Sequence, residues 1–472
     1  MGTAERAARR LAAVVAALGA VASPARSARA DGAFPDSQTI LTPADAAGEI
    51  TLVTNFGLIA SRDGGQTWLW SCEGADNAYG AFYQLGLGPR HRLYALVDVR
   101  VVFSDDRACG WTASGGLLAH AGAGLGAIDF WVDRTVPDRL LAVDVTCCAG
   151  GDQRSHRVIE SRDGGATFDR ILLQAETGAT ITGVESARSS PDTIYVTLGG
   201  APVDGGPPPP ELARTLDGGG TWRTIDLTAA LGPGTVRLVG VDAGDPDQVF
   251  LAWSNADGEA LAATADGGMT ARKILIPSGV MKAFLRLGDG TILVAAQDDS
   301  EGRSVARLYR SRDGGATFES LAKPPHVRAL SERAGTVFAA TDNFSEGYAV
   351  GVSTDQGETW RGLLAYEDVH AILPCAKTSC QEVCASEVQL SVWPAEVCSA
   401  DAPPESEGTG GAGGRGSAGG AAGQGGAGPA GRPPRAGGSS GGCQATPDAT
   451  VAVAPLAPAL LLLVLAKARR RP

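Results

Sequence analysis

Histidine is scarce in this chain: 472 residues carry five, His91, His120, His156, His326 and His370, and none stand at a metal-ligand or catalytic spacing. Each reads as a surface or turn residue. No P-loop and no dinucleotide-type glycine fingerprint occurs, which excludes the nucleotide-dependent classes that those motifs mark. Positive charge is in deficit, with 40 Lys plus Arg against 52 Asp plus Glu and a net charge of −12. Removing the +4 of residues 1–30 and the +3 of residues 444–472 leaves −19. Such a surface repels phosphate backbones, so no nucleic-acid partner is expected. A long helical period is missing throughout, which excludes a helical bundle. Apolar residues make up 44% and permit a sizeable core. Glycine is the one residue in clear excess, at 65, and the excess is local.

The two ends read as address labels. Arg6, Arg9 and Arg10 precede the apolar run Leu11–Ala22, and Ala28-Arg29-Ala30 offers an A-x-A exit site. That order describes a secretory signal peptide over residues 1–30, cleaved before Asp31, with Ala22 as the alternative. At the other end, 17 of the 35 residues 408–442 are Gly. Nothing there can bury a core, so residues 400–442 read as a disordered, flexible linker. Cys443 follows, then the apolar run Val451–Ala466, broken by Pro455 and Pro458, then Lys467 and Arg469–Arg471. This order resembles the C-terminal sorting signal of myxobacterial surface proteins, the MYXO-CTERM type. The resemblance implies that residues 443–472 are a sorting or anchor segment, processed near Cys443, with attachment to the membrane or outer envelope. A plain single-span anchor is the alternative, and either way residues 31–442 lie outside the cell.

Eight cysteines remain once Cys443 is set aside, and an even number in an exported chain favours disulfides. Cys375, Cys380, Cys384 and Cys398 follow a C-x4-C-x3-C-x13-C spacing with no His among them. Residues 375–399 are therefore expected to form a small two-disulfide knot rather than a zinc site. The adjacent Cys147 and Cys148 bridge either to each other or to separate partners.

Between these ends one octapeptide recurs: Ser61–Trp68 (SRDGGQTW), Ser161–Phe168 (SRDGGATF), Thr215–Trp222 (TLDGGGTW), Ser311–Phe318 (SRDGGATF) and Ser353–Trp360 (STDQGETW). Two degenerate copies, Thr264–Ala271 (TADGGMTA) and Ser104–Trp111 (SDDRACGW), keep the spacing at intervals of 43, 57, 54, 49, 47 and 42 residues. Glycine suits a turn that reverses a strand within a few residues. Asp63, Asp106, Asp163, Asp217, Asp266, Asp313 and Asp355 suit an Asx-type clamp across it, a structural role. The Trp or Phe that follows offers a large apolar face to a neighbouring sheet. Four short strands surround each copy. The motif looks like the Asp-box, or BNR, repeat of sialidases and sortilin-type receptors, which implies a propeller. The expected fold is all-β: a seven-bladed β-propeller over residues 31–374, four antiparallel strands per blade. Either Gln38–Thr42 or the returning Val369–Leu373 is expected to fill the inner slot of the first blade.

For function, the sialidase resemblance fails at its most diagnostic element. The Arg-Ile-Pro signature ahead of the first box is replaced by EITLVTNFGLIA (Glu49–Ala60), and no Tyr–Glu pair can be matched. No residue is assigned a catalytic role and no cofactor is expected. The loops joining second to third strands share one propeller face and are long: Thr146–His156, Gly199–Pro210, Asn255–Glu259, Asp298–Arg303 and Asp342–Gly347. Long loops on a rigid scaffold suit recognition. The expected function is a non-catalytic binding or structural module for an extracellular protein or glycan, with glycoside hydrolase as the alternative. Asp298, Asp299 and Glu301 are weak calcium candidates, on charge alone.

Overall fold

The computed structural model describes residues 35–72, 82–85, 92–122, 125–147, 154–200, 208–299 and 304–402, with backbone alone at 82–85 and at Cys147. Valine, isoleucine and leucine alternate with small and polar residues along runs of four to ten residues. These runs pair in sequence order into seven antiparallel sheets, six four-stranded and one five-stranded. The result is a seven-bladed β-propeller. Blade 4 is representative: Thr180–Ala187, Ser190–Gly199, Pro210–Thr215 and Arg223–Asp226 run from axis to rim. The second strands carry the core, and Val196 there is completely buried, as are Ala142 and Leu251 in blades 3 and 5. The first strands of blades 5, 6 and 7 (Thr235–Val241, Val280–Arg286 and Val327–Arg333) stay half-exposed along most of their length. That contrast is the signature of an axial channel lined by the inner strands.

All seven octapeptides sit on the turn from third to fourth strand. Antiparallel order puts these turns and the first-to-second-strand turns on one face, called here the box face. The second-to-third-strand loops and the links between blades occupy the opposite, loop face. In the third repeat the aromatic end of the octapeptide departs from a simple hairpin. Thr167–Phe168 pairs in parallel with Gly115–Gly116 of the preceding unit, and the outer strand starts only at Arg170.

The fifth residue of the octapeptide, glycine in every copy but the second, is where neighbouring blades touch. A Cβ on Gly219 would stand 3.0 Å from Leu172, on Gly268 2.8 Å from Leu212, on Gly315 2.8 Å from Ile274 and on Gly357 3.0 Å from Leu308. In each case the neighbour belongs to the preceding blade. The ring closes by the same contact, because a Cβ on Gly65 would stand 2.9 Å from Leu363 of blade 7. All five glycines also hold positive φ. The degenerate second copy reaches the same backbone without glycine: Arg107 has φ +61° and Ala108 φ +71°. The adjacent Cys109 is bonded to Cys375.

Of the two alternatives for the inner slot of blade 1 the first holds, with Ser37–Leu41 filling it. The returning segment, Ala371–Ile372, does not, and pairs in parallel with Leu69–Ser71 at the outer edge. The inner edge is already paired when the chain leaves blade 7 along the rim. Nor do the last four cysteines form a local knot. Only Cys384–Cys398 is local, while Cys380 bonds Cys72 and Cys375 bonds Cys109. The reason is a 13-residue helix, Lys377–Gln389, which places Cys380 and Cys384 one turn apart on its buried side. Trp393 beyond it packs 4.7 Å from Trp70 and 5.7 Å from Phe56, so the segment shares one core with blades 1 and 7. Cys148 and residues 403–472, with Cys443 and the apolar run Val451–Ala466, lie outside the described residues, as do residues 1–34. Among the described residues no helix is long and apolar enough to cross a membrane.

The glycine pair within one octapeptide separates turn geometry from blade spacing. Gly314 has φ +69° and open space around it, whereas Gly315 has φ +88° and Ile274 at 2.8 Å. Gly314→Ala is expected to cost about 1–2 kcal/mol for the left-handed backbone. Gly315→Ala adds about 1–3 kcal/mol of overpacking. Equal losses in urea titrations would show that blade spacing is not set at this glycine.

Candidate functional site

On the box face, the octapeptides consume their own polar groups. Asp313 Oδ1 accepts from Thr317 N at 2.9 Å and Ser311 Oγ at 2.8 Å, and Oδ2 accepts from Thr317 Oγ1 at 2.6 Å. The Ser311 hydroxyl in turn accepts from Gly315 N at 2.8 Å. Asp63, Asp163, Asp217, Asp266 and Asp355 repeat this pattern. Asp106 keeps it with Gly110 N donating at 2.7 Å in place of the missing Thr. Threonine hydroxyls and amides hold Asp217, Asp266 and Asp313 down to about 2. With these lone pairs committed, the seven aspartates act as turn clamps.

The inner strands carry a second set of carboxylates that motif reading missed. Asp129 of blade 3 accepts from Val184 N of blade 4 at 3.2 Å, and Glu185 of blade 4 accepts from Val241 N of blade 5 at 3.0 Å. From the third strand of blade 5, Gly258–Thr264, Glu259 does the same for Met281 N of blade 6 at 2.7 Å. Five inner strands carry a bulge near the level of Asp129, skipping Gln38, Ile128, Thr182, Lys282 and Arg328 in the pairing. Bulges re-aim side chains and free amides for such contacts. Burial pushes Asp129 and Glu185 each up to about 7. Arg328 joins three blades, with Nε 2.9 Å from Asp36 Oδ2, its guanidinium bonded to Gln297 and Asp342 Oδ2 at 3.6 Å.

The acidic loops are engaged within the protein. Asp298 accepts from Ser278 Oγ at 2.9 Å, and Asp299 accepts from Gln297 Nε2 at 2.8 Å, with Lys282 and Arg328 near enough to stabilise its charge. Glu301 lies outside the described residues. Asp342 caps the single turn Asn343–Glu346, and Glu346 Oε1 lies 2.6 Å from His326 Nδ1. Among the described residues no three His, Cys, Asp or Glu side chains gather into a metal cluster.

One stretch of open space on the loop face lies beside blade 5. Two contiguous grooves of about 320 and 500 Å³ share Pro233 and Asn255. Pro208, Ile276 and the edge of Trp253 wall them. Ile276 is 74% exposed. Trp253 is buried, its indole N–H donating to Gly232 O at 3.2 Å, and Lys273 Nζ sits 3.2 Å above its ring centroid. The flanking loops were visible in sequence as long, but the exposed Ile276 in a blade-to-blade link carried no motif.

No family model and no curated protein matches this chain. Among solved structures it is similar to a GH74 xyloglucanase from Xanthomonas campestris, at 15% identity and TM-score 0.37, over 72% of this chain and 59% of that one. A puromycin-hydrolyzing peptidase of Mycobacterium tuberculosis gives 14% and 0.48, over 72% and 55%. An oligogalacturonate lyase from Vibrio parahaemolyticus gives 11% and 0.45, over 68% and 97%. This chain thus spans between half and two thirds of the first two. Likenesses of this size carry no argument about activity, and the fold stands on the sheets themselves.

Two opposing pH effects follow from the carboxylates. Asp63, Asp163, Asp217, Asp266, Asp313 and Asp355 titrate below their unfolded value of 3.8, so their contribution is full above about pH 4 and is lost as pH falls towards 2. Asp129 and Glu185 titrate above theirs, so their contribution is full below about pH 4 and declines as pH rises to 7. Asp313→Asn is expected to flatten the acid limb of a melting-midpoint profile and Asp129→Asn the limb between pH 4 and 7. Parallel profiles for both variants and parent would reject this assignment.

Proposed function

We propose that this chain is an exported, surface-attached recognition module of the Asp-box (BNR) type that binds a protein ligand on its loop face. The supporting observation is the pair of contiguous grooves beside blade 5, walled by prolines and by the highly exposed Ile276. An exposed apolar rim on a soluble face marks a protein contact. The net charge of −12 favours a basic partner through steering. Rigidity suits this role, because the acidic side chains around the loops are already bonded within the propeller.

The test compares two aspartate substitutions of highly exposed apolar residues. Ile276 lines the groove, and Leu216, 63% exposed, lies in an octapeptide on the box face. With a panel of basic proteins immobilised, Ile276→Asp is expected to weaken binding at least tenfold and Leu216→Asp to leave it unchanged. Binding that survives Ile276→Asp places the ligand elsewhere.

Glycoside hydrolysis is the second reading, favoured by one observation: Asp129 and Glu185 are neighbouring inner-strand carboxyls, both raised to about 7 by burial. Against it, each already accepts a backbone amide of the next blade. Turnover of a glycan panel that vanishes in Asp129→Asn would favour the hydrolase.

Surface attachment rests on the signal-like residues 1–30 and on the segment from Cys443 to the terminal arginines. Cys443→Ser is expected to release the protein into the medium or to leave its C-terminal peptide uncleaved. Unchanged retention and processing would assign the tail to a plain membrane span.

A further inference from the structure

The seam between blades 1 and 2 is built differently from the others. Every other octapeptide has glycine as its fifth residue, whereas the second copy has Ala108 there, and Gly110 in place of the threonine that closes the clamp. Arg107 and Ala108 hold φ of +61° and +71°, a left-handed backbone that glycine adopts freely and these residues adopt at a cost. Two turn contacts remain: Ala108 N donates to Ser104 Oγ at 2.9 Å and Gly110 N to Asp106 Oδ1 at 2.7 Å. A cavity of about 40 Å³ lies at the same seam, lined among others by Arg107, Ala108 and Leu373. Arg107 Nη2 reaches Glu49 Oε1 of blade 1 at 2.9 Å, but the guanidinium is half-exposed, and pairs of that kind contribute little.

This seam is fastened from outside by the bond between Cys109, the sixth residue of that octapeptide, and Cys375. The three disulfides differ in their access to solvent. Cys109 and Cys375 are both exposed. Cys72 and Cys380 are wholly buried in the core that blades 1 and 7 share. Cys384 is equally buried, and its partner Cys398 is half-buried against the same core. Exchange requires a thiolate to approach a sulfur, so access decides which bond opens first.

We propose that the Cys109–Cys375 disulfide is a thiol-exchange site, opened by a dithiol to loosen the seam between blades 1 and 2 while the ring stays closed. One thiolate of the dithiol attacks one sulfur of the pair, the S–S bond breaks, and the other cysteine leaves as a thiolate. The second thiol of the reductant then attacks the mixed disulfide. The reductant departs as a cyclic disulfide, oxidised by two electrons, and its two protons end on the two cysteines. Released from Cys375, the turn Ser104–Trp111 is free to give up the left-handed backbone at Arg107 and Ala108. Cys72–Cys380 stays out of reach and keeps the C-terminal segment on blade 1. The site belongs to a box-face turn, on the opposite face from the blade 5 grooves, and stands independently of the recognition reading.

Dithiothreitol serves as the probe, applied to the folded chain in rising concentration and followed by alkylation and peptide mapping. Cys109 and Cys375 are expected to label at a concentration about tenfold below that needed for Cys72, Cys380, Cys384 or Cys398. In the protein with only that bond opened, hydrogen exchange over Ser104–Trp111 is expected to quicken about tenfold, with Thr215–Trp222 of blade 4 unchanged. Cys109→Ser combined with Cys375→Ser should reproduce that exchange pattern without reductant. The labelling order and the exchange of the parent decide the matter even if the double variant fails to fold. Labelling of all six bonded cysteines together, or of Cys384 and Cys398 first, would overturn the proposal. So would opening of Cys109–Cys375 with no change over Ser104–Trp111, which would make the bond an inert cross-link.

Discussion

The close approach of each octapeptide to the blade before it is the contact on which this structure depends. A propeller blade is a small twisted sheet that cannot bury both faces alone, so it is stable only against two neighbours. The second glycine of the octapeptide is the point of nearest contact, where a single added carbon would meet an apolar side chain of the preceding blade. The aspartate clamp has meaning in that light. Five or six hydrogen bonds fix the turn so that the glycine presents its bare face at the right height. The aromatic residue then covers the seam, as Trp222 does with its indole N–H on Leu172 O at 2.8 Å.

A circular arrangement moves the problem to one seam, between blades 7 and 1, where nothing in the local chain joins the sheets. The molecule answers with long-range contacts. Arg328 reaches Asp36, Ser37 Oγ lies 2.9 Å from Tyr366 Oη, and Arg333 Nη1 donates to Glu49 O at 2.6 Å. The disulfide segment adds covalent ties to the same place, linking Cys72 to Cys380 across 308 residues and Cys109 to Cys375 across 266. Cross-links over loops of this length remove much of the conformational freedom of the unfolded chain. The Cys109 tie falls beside Arg107 and Ala108, two non-glycine residues held in a left-handed backbone, so the weakest octapeptide is also the one fastened from outside.

How much of this was legible in sequence follows from what repeats. Seven turns, their spacing and the strand rhythm recur along the chain, so blade number and the place of each box could be read from residues such as Asp63 and Gly65. What does not recur was not legible. The outer-edge strand Ala371–Ile372 is two residues long and carries no pattern. The helix Lys377–Gln389 has a weakly amphipathic sequence, and its one signal was the C-x3-C spacing that sets Cys380 and Cys384 on a common face. That spacing fits a helix as well as a knot, and the choice was made by burial against Trp70 and Phe56. Asp129 and Glu185 were hidden for another reason: their partners are backbone amides of the next blade, which leave no mark on residue type.

The two propeller faces therefore differ in what they can evolve to do. On the box face the aspartates, hydroxyls and glycines are committed to holding blades together, and a change at one of them is felt by the neighbouring sheet. On the loop face the connections bear little of the fold. Ala256 and Asp257 at the tip of the blade 5 loop can vary without disturbing the inner ladders, whereas Glu259 beside them is committed to Met281 N of blade 6. Ile276 sits in a link between blades, where its 74% exposure costs the fold nothing and gains it no packing. An apolar side chain that serves no internal contact is more readily explained by an external one, and the scaffold beneath is stiff enough to hold it in place for that contact.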